Sequence, residues 1–154
     1  MLIKLNEEFT ESLSRELLEL PEEEKLFFHP HKFDSESIKK LSREKGNYYY
    51  IYLDESGKFV GYGMLRSFGK YEIPTLGCVV WQKHRGKKDG ERLVGELIDK
   101  ARELRYQKVK LKVHPDNIIA SGLYKKAGFK MTGQKDGAMV WMEYKIDKGK
   151  SNVR

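Results

Sequence analysis

Two stretches in the second half of the chain carry most of the information about its fold. The first is VVWQKHRGKKDGERL at positions 79–93, and the second is NIIASGLYKKAGF at positions 117–129. The first combines an apolar run, a basic turn with glycines and the start of a helical pattern. Such a strand–turn–helix unit suits phosphate binding, because free N–H groups and the positive end of the helix dipole face the turn. The second predicts a helix capped by Asn117 and ended by Gly128.

The flanking sequence predicts alternating strands and helices. Helical spacing of apolar residues predicts two helices before residue 46, and further helices at 88–104 and 117–126. The predicted strands are 1–5, 48–53, 58–66, 73–81, 108–113, 129–133 and 138–146. Pro74 and Gly77 interrupt one of these strands, so we expect it to be irregular or splayed. This order predicts a mixed α/β protein with a twisted sheet of about six to seven strands, flanked by about four helices.

The composition indicates a globular protein with an excess of positive charge. Of the 154 residues, 39% are hydrophobic and 34% are charged, and the formal net charge is +7. We expect one domain over residues 1–146 and a flexible basic tail over residues 147–154. A basic protein favours an anionic partner, which leaves nucleic acid, a membrane surface and a phosphorylated ligand open. No apolar run is long enough to predict a membrane span.

Cysteine and histidine usage narrows the possible chemistry. Cys78 is the single cysteine, so the chain has no internal disulfide, and a reducing, cytoplasmic location is predicted. Its apolar neighbours predict a buried thiol and not a nucleophile. His29 and His31 flank Pro30 and resemble half of a metal site, but no carboxylate or cysteine cluster completes it. We therefore expect no metal.

The two stretches resemble the signatures of the GNAT superfamily of N-acetyltransferases. The family's acetyl-CoA motif, Arg/Gln-x-x-Gly-x-Gly/Ala after the fourth strand, corresponds to RGKKDG at positions 85–90. The second signature is Asn, Ala three residues later, Leu-Tyr and Gly-Phe, and all of these are present in positions 117–129. Lys88 departs from the pattern, because the family has glycine there. The element order is similar to that of the family over nearly the whole chain, which implies the GNAT fold.

The resemblance implies that acetyl-CoA is the co-substrate. It places the pantetheine arm along the backbone of the fourth strand and the pyrophosphate at the glycine-containing turn. Asn117 is implied to contact the pantetheine or the acetyl end, and Lys126 to reach the nucleotide end. The implied cofactor-binding residues are Cys78, Val79, Val80, Arg85, Gly86, Lys87, Lys88, Asp89, Gly90, Glu91, Asn117, Tyr124 and Lys126.

Two catalytic residues follow from the same resemblance. Tyr124 corresponds to the tyrosine that protonates the leaving thiolate, and the alternative is an aromatic side chain that simply packs on a helix face. Glu72 lies near where many relatives carry the base, acting directly or through water, and the alternative is an exposed loop charge. A backbone N–H near Val79 or Val80 is the expected oxyanion donor.

The acceptor is expected to be a primary amine that takes the acetyl group directly in a ternary complex. By resemblance, the loop with His29 and His31 lines the acceptor pocket, and its aromatic character favours a small molecule. Arg66 and Tyr71 are candidates for orienting an anionic acceptor. A protein N-terminus or lysine stays open as an acceptor, and the resemblance also allows a homodimer.

Two other functions compete with this prediction. The lysine at position 88 motivates a non-catalytic acyl-CoA sensor, although the tyrosine at position 124 speaks against it. A nucleic-acid-binding module would need an organised basic face. Because the lysines are spread over several predicted elements and no recognition motif is present, we expect no nucleic-acid partner, and we also expect no membrane partner.

Overall fold

The structure, a computed structural model, describes residues 1–146. The strands are β1 (Leu2–Lys4), β2 (Asn47–Leu53), β3 (Phe59–Arg66), β4 (Thr75–Val80), β5 (Lys108–Val113), β6 (Lys130–Asp136) and β7 (Met139–Lys145). The helices are α1 (Thr10–Leu18), α2 (Glu22–Phe27), α3 (Ser35–Leu41), α4 (Asp89–Glu103) and α5 (Ile118–Ala127). The predicted tail at residues 147–154 lies outside the described residues.

The strands form one seven-stranded sheet in the order β1-β2-β3-β4-β5-β7-β6. Its neighbouring strands are antiparallel except β4 and β5, which are parallel. The predicted mixed α/β class is therefore confirmed. Residues 1–146 contain one α-helix more than the four predicted, because α1 ends before Pro21 and a short helix, α2, begins after it.

Helices pack on both faces of the sheet, as strand β2 illustrates. Tyr50 and Tyr52 belong to the apolar core that α4 and α5 cover. Tyr49 and Ile51 belong to a second core, which α1 and α3 cover on the opposite face. Successive side chains of a strand point to opposite faces, so the aromatic run serves both cores.

The expected irregularity of the fourth strand takes the form of a splay. Strand β4 pairs with β3 without any shift of register, and Gly77 causes no bulge. On its other side, β4 pairs with β5 in the described chain at one position, Thr75 with Lys110. There the Lys110 N–H donates to the Pro74 carbonyl oxygen at 3.1 Å. Beyond this point the two strands separate, and a gap opens along the rest of β4.

Gly63 of β3 leaves room for the side chain of Leu97 of α4. A Cβ atom on Gly63 would lie 2.8 Å from Cδ1 of Leu97, which is buried in the core under α4. Such a contact is shorter than packed atoms allow. Glycine at this position therefore sets the distance between the sheet and the helix that follows β4.

Candidate active site

The edge of β4 that faces the gap carries backbone groups without a protein partner. The Trp81 N–H donates to the Val60 carbonyl oxygen of β3 at 2.9 Å. Because hydrogen-bonding groups alternate along a strand, the N–H groups of Cys78 and Val80 point away from β3, into the gap. Neither N–H has an acceptor within residues 1–146. The Val80 carbonyl oxygen accepts from Arg85 Nε at 2.9 Å. This edge is thus open to an extended ligand.

The turn before α4 presents a second set of unpartnered N–H groups. Gly86 has φ 87° and Lys88 has φ 66°, so the chain takes left-handed steps on its way into the helix. Within the described residues, the N–H groups of residues 86–91 donate to no acceptor, and the first bonded one is Arg92 N–H, which donates to the Lys88 carbonyl at 3.2 Å. These groups and the helix dipole fit the pyrophosphate that the sequence predicts here.

Lys88 adopts a left-handed backbone conformation, which glycine takes without steric cost. Its left-handed φ costs roughly 1 kcal/mol for a residue with a side chain. The side chain itself is exposed, so it does not fill the turn. The lysine therefore adds positive charge beside the turn without occupying the space inside it. Gly90 keeps α4 close to α5, because a Cβ there would lie 3.3 Å from Leu123 Cδ2.

Carboxylates already engage two of the cations expected to bind the cofactor. Arg85 forms a bidentate pair with Glu24 of α2, in which Nη1 donates to Oε2 at 3.1 Å. Lys126 of α5 pairs with Glu91 in the first turn of α4, and this hydrogen bond lowers the pKa of Glu91. No signal in the sequence indicates the contact with Glu24, because the pair is formed by elements far apart in the chain.

Charges that have no carboxylate partner also lie at this turn. Lys87 and Lys88 are both exposed, and neither forms an ion pair with any residue that the structure describes. Asp89 is buried and pairs with Arg92 at 3.6 Å. Arg92 also donates to the Lys87 carbonyl oxygen at 2.8 Å, which holds the turn against the helix.

Tyr124 meets β4 at one residue of the unpartnered edge. Its side chain is 8% exposed, and its hydroxyl oxygen lies 3.7 Å from Cys78 Sγ. Burial raises the pKa of the Tyr124 phenol well above its usual value, and Cys78 raises it further. Burial likewise raises the pKa of the Cys78 thiol to about 11, partly offset by the hydrogen bond with Tyr124. Both groups are therefore protonated at neutral pH, which suits Tyr124 as an acid and Cys78 as an inert neighbour.

Asn117 lies at the start of α5, and Glu72 lies in the loop before β4. The Asn117 side chain accepts from the Ala120 N–H at 3.4 Å and caps α5, as predicted. Glu72 is exposed in the loop between β3 and β4, where no ion pair or hydrogen bond holds its side chain within the described residues. Its role as the base stays a prediction.

The loop that carries His31 is held by polar contacts of its own. His31 Nδ1 donates to the Lys32 carbonyl at 2.7 Å, which leaves Nε2 to accept from the Tyr62 hydroxyl at 2.9 Å. Burial lowers the pKa of His31, so the ring is neutral at neutral pH. The ring also makes edge contacts with Phe33 and Tyr49. His31 is thus already engaged by the protein at both nitrogens.

The other predicted acceptor residues divide between this loop and a separate surface. Arg66 Nη1 donates to the Pro30 carbonyl at 3.0 Å, next to His31. The exposed His29 ring interacts through Nδ1 with the Lys25 carbonyl at 3.1 Å, at the end of α2. Tyr71 is 53% exposed and lies beneath the ammonium groups of Lys70 and Lys110. The structure brings Arg66 beside the His31 loop, whereas Tyr71 contacts the two lysines.

Two further features concern metals and membranes. Across residues 1–146, no three His, Cys, Asp or Glu side chains are grouped so that they could hold a metal ion. In the same part of the chain, every helix is too short or too polar to cross a bilayer.

A comparison with models of protein families tests the resemblance to GNAT proteins that the two sequence signatures indicate. The model of the acetyltransferase (GNAT) family matches residues 14–129. The chain belongs to the GNAT acetyltransferase family. The match includes β4, the turn before α4, and α5 with its tyrosine, so it covers the site described above. A sequence comparison with curated proteins gives no match.

Solved structures share the fold of this GNAT protein at low sequence identity. The ribosomal-protein-S5-alanine acetyltransferase from Vibrio fischeri has a TM-score of 0.80 at 13% identity, over 97% of this chain and 94% of that chain. The spermidine N-acetyltransferase from Vibrio cholerae, in complex with CoA and spermine, has a TM-score of 0.80 at 16% identity, over 96% of each chain. The GNAT domain of S. lividans PAT has a TM-score of 0.79 at 14% identity, over 94% of this chain and 89% of that chain. These likenesses show the GNAT fold.

Proposed function

We propose that this protein is an acetyl-CoA-dependent N-acetyltransferase that moves the acetyl group directly to a small primary amine. One observation carries the proposal most. At Cys78 of β4, an N–H without a partner in the described chain faces the gap, and the same residue's sulfur lies 3.7 Å from the Tyr124 hydroxyl. An oxyanion donor and an acid therefore meet at one position on a family scaffold that transfers acetyl groups.

The chain's own groups account for binding of acetyl-CoA, which supplies an activated acetyl thioester. The pantetheine amides would pair with the open edge of β4, as an added strand does. The N–H groups of residues 86–91 would hold the pyrophosphate, and Lys87 and Lys88 would add positive charge. Arg85 would join them once it leaves Glu24. A relative of the same fold was solved with CoA bound, which supports this assignment.

In the proposed reaction, the amine nitrogen attacks the thioester carbonyl carbon, and the carbon–sulfur bond breaks. The Cys78 or Val80 N–H stabilises the negative charge on the carbonyl oxygen. Tyr124 donates its hydroxyl hydrogen to the leaving thiolate, and its raised pKa keeps that hydrogen present throughout the physiological range. The proton that the amine loses goes to Glu72, directly or through water, and solvent then restores Tyr124.

The acceptor is proposed to be small because the loop that bounds the expected pocket is aromatic and tightly packed. Phe28 and Phe33 stack with ring centroids 6.5 Å apart, and His31 contacts Phe33 at 5.8 Å. The structural relatives named above include one with a polyamine acceptor and one with a protein acceptor, so they do not select one. We further propose a cytoplasmic location, supported by the single cysteine of the chain, and a homodimer stays a prediction.

Thiol release measured with a panel of amines tests the proposal. The purified chain is first titrated with acetyl-CoA by calorimetry, and CoA thiol is then followed with each amine. We expect saturable binding and thiol release that requires an amine. Binding without release on a broad panel of small amines would favour the acyl-CoA sensor, and absence of binding would contradict the proposal altogether.

A further inference from the structure

Among residues 1–146, no helix packs over one face of the second half of the sheet, except that Phe27 of α2 contacts His114 just after β5, with ring centroids 5.4 Å apart. On β5, Val109, Leu111 and Val113 point into the core under α4 and α5. The alternating lysines therefore point to the opposite face. The core that α1 and α3 cover on that face includes no residue of β5, β6 or β7. The side chains on this uncovered face are available to a ligand.

Cations and aromatic rings cluster where this face meets the loop before β4. We call Lys70, Tyr71, Lys110, Lys112 and Trp141 the basic aromatic face. Lys110 Nζ lies 4.8 Å from the ring centroid of Trp141 and 5.9 Å from that of Tyr71. Lys112 Nζ lies 5.4 Å from the Trp141 centroid, and Lys70 Nζ lies 5.0 Å from the Tyr71 centroid. These distances allow cation–π attraction between the rings and the ammonium groups.

Much of this positive charge is not neutralised by the protein. Lys70 and Lys110 have no carboxylate within 4.0 Å among residues 1–146. Lys112 pairs with Asp136 at 2.8 Å, but both side chains are exposed, so solvent weakens the pair. Glu143, which is opposite Lys110 in register, pairs instead with Lys108 at 4.0 Å. The face thus offers Lys110 to an anion, with Lys70 beside it.

The basic aromatic face borders the gap in which the acetyl group is proposed to lie. Lys110 pairs in register with Thr75, where β4 and β5 begin to separate. Lys112 is two residues further along β5, beside the open gap. Tyr124 belongs to the core on the other face of the sheet. An acceptor that approaches along the basic aromatic face therefore reaches the gap from the side opposite to the proposed acid.

We infer that the acceptor is a primary amine that also carries a carboxylate, which the basic aromatic face binds. The inference rests on the proposed function and names its substrate class. The carboxylate would accept hydrogen bonds from Lys110 and be attracted by Lys70, and Glu72, next to Tyr71, offers a negative charge for the ammonium end. A polyamine would instead place like charges together. This enzyme should therefore discriminate against spermidine, the polyamine for which the Vibrio cholerae relative is named.

Amines of equal length that differ in the charge of the far end test the inference. The probes are ω-amino acids of three to six carbons, the matching alkylamines and the matching diamines, for example 5-aminopentanoate, pentylamine and 1,5-diaminopentane. We expect kcat/KM to be roughly 10-fold higher for the best amino acid than for its alkylamine, and lower still for the diamine. Added salt should reduce these differences in kcat/KM, because it screens the charges.

Variants locate the effect on the basic aromatic face. Lys110→Met should raise KM for the amino acid roughly 10-fold with kcat almost unchanged, and should leave the alkylamine unaffected. Lys40→Met makes the same chemical change at an exposed position of α3 and should alter neither constant. Thermal melting and the acetyl-CoA affinity of each variant confirm that the fold and the cofactor site are intact.

The outcomes separate this inference from the function on which it rests. Equal use of the three amine types, preference for diamines, or an unchanged KM in Lys110→Met would overturn the inference and leave the transferase standing. Turnover of none of the probes by a protein that binds acetyl-CoA would also overturn it. Tight binding of single-stranded RNA at physiological salt, lost in Lys110→Met, would assign the face to nucleic acid. Failure to bind acetyl-CoA would remove the proposed function itself.

Discussion

The gap beside β4 and the loop around His31 were both expected to contact ligands, but their polar groups are in opposite states. Beside β4, the N–H groups of Cys78 and Val80 face a gap and have no acceptor within residues 1–146. Around His31, both ring nitrogens and the Tyr62 hydroxyl are already hydrogen-bonded. Water or a ligand can therefore pair with the groups beside β4, whereas those around His31 are already satisfied by the protein.

The two regions also differ in the groups that form them, which are main-chain groups at the gap and side chains in the histidine loop. The gap is built from main-chain groups, so its shape depends on strand geometry and tolerates changes of side chain. The histidine loop is built from side chains that stabilise one another, so changes there should first affect stability.

The largest effect is expected at the phenol beside the gap. Tyr124→Phe should lower kcat roughly 100-fold, because the leaving thiolate loses its acid, while the Kd for acetyl-CoA changes little. Steady-state kinetics and calorimetry measure the two quantities. Tyr106→Phe is the matched control, because that hydroxyl bonds to Ser67 Oγ at 3.2 Å away from the gap. Equal kcat in both variants would remove Tyr124 from the chemistry.

A smaller effect, on stability and not on catalysis, is expected at the histidine loop. Tyr62→Phe removes the hydroxyl that donates to His31 Nε2 and leaves a half-buried acceptor unpaired. The free energy of unfolding should fall by roughly 1–2 kcal/mol, and kcat/KM should stay within about twofold. Urea titration and kinetics on the same sample decide the matter. A large loss of kcat/KM at unchanged stability would mean that the Tyr62 hydroxyl acts on the acceptor directly.

The ion pair between Glu24 of α2 and Arg85 of the turn should modestly weaken the binding of acetyl-CoA. Glu24→Gln frees Arg85 for the pyrophosphate and removes a negative charge beside it, so the Kd for acetyl-CoA should fall roughly fivefold. Glu23→Gln removes an exposed charge from the same helix and should change the Kd far less. Calorimetry at two salt concentrations measures both. A higher Kd for acetyl-CoA in Glu24→Gln would mean that the Arg85–Glu24 pair organises the turn. Glu24 would then not compete with the cofactor for Arg85.

The smallest effect concerns the residue that departs from the family motif. Lys88→Gly relieves the left-handed φ of 66° and should raise the free energy of unfolding by about 0.5–1 kcal/mol. Lys87 is not in the left-handed region, so Lys87→Gly should lower the free energy of unfolding. Differential scanning calorimetry compares the two. If Lys88→Gly proved less stable than the parent chain, the charge of the lysine would matter more than its backbone strain.

The sequence allowed the fold and the cofactor side of the site to be predicted because their signals are local. The turn at residues 85–90, the cap at Asn117 and the glycine at position 128 each act on the nearest few residues. The splay of β4 also followed from Pro74, although Gly77 formed no bulge. These are properties of the backbone, which short motifs specify well.

The remaining contacts depend on residues that are distant in sequence. The bonds from Glu24 to Arg85 and from Tyr62 to His31 join separate elements, and no local pattern indicates either. The alternating lysines of β5 predicted an exposed strand face. They did not predict that Trp141 and Tyr71 would hold Lys110 there, because this requires the order of strands in the sheet. The fold therefore brings together charged residues that are far apart in the sequence.

Amide hydrogen exchange along β4 tests the central claim most directly. Without a ligand, the N–H groups of Gly77 and Val79, which face β3, should exchange slowly, and those of Cys78 and Val80 should exchange fast. Saturation with acetyl-CoA should slow Cys78, Val80 and residues 86–91 strongly and leave Gly77 and Val79 nearly unchanged. If Cys78 and Val80 exchanged equally fast with and without bound acetyl-CoA, the gap beside β4 would not be its binding site.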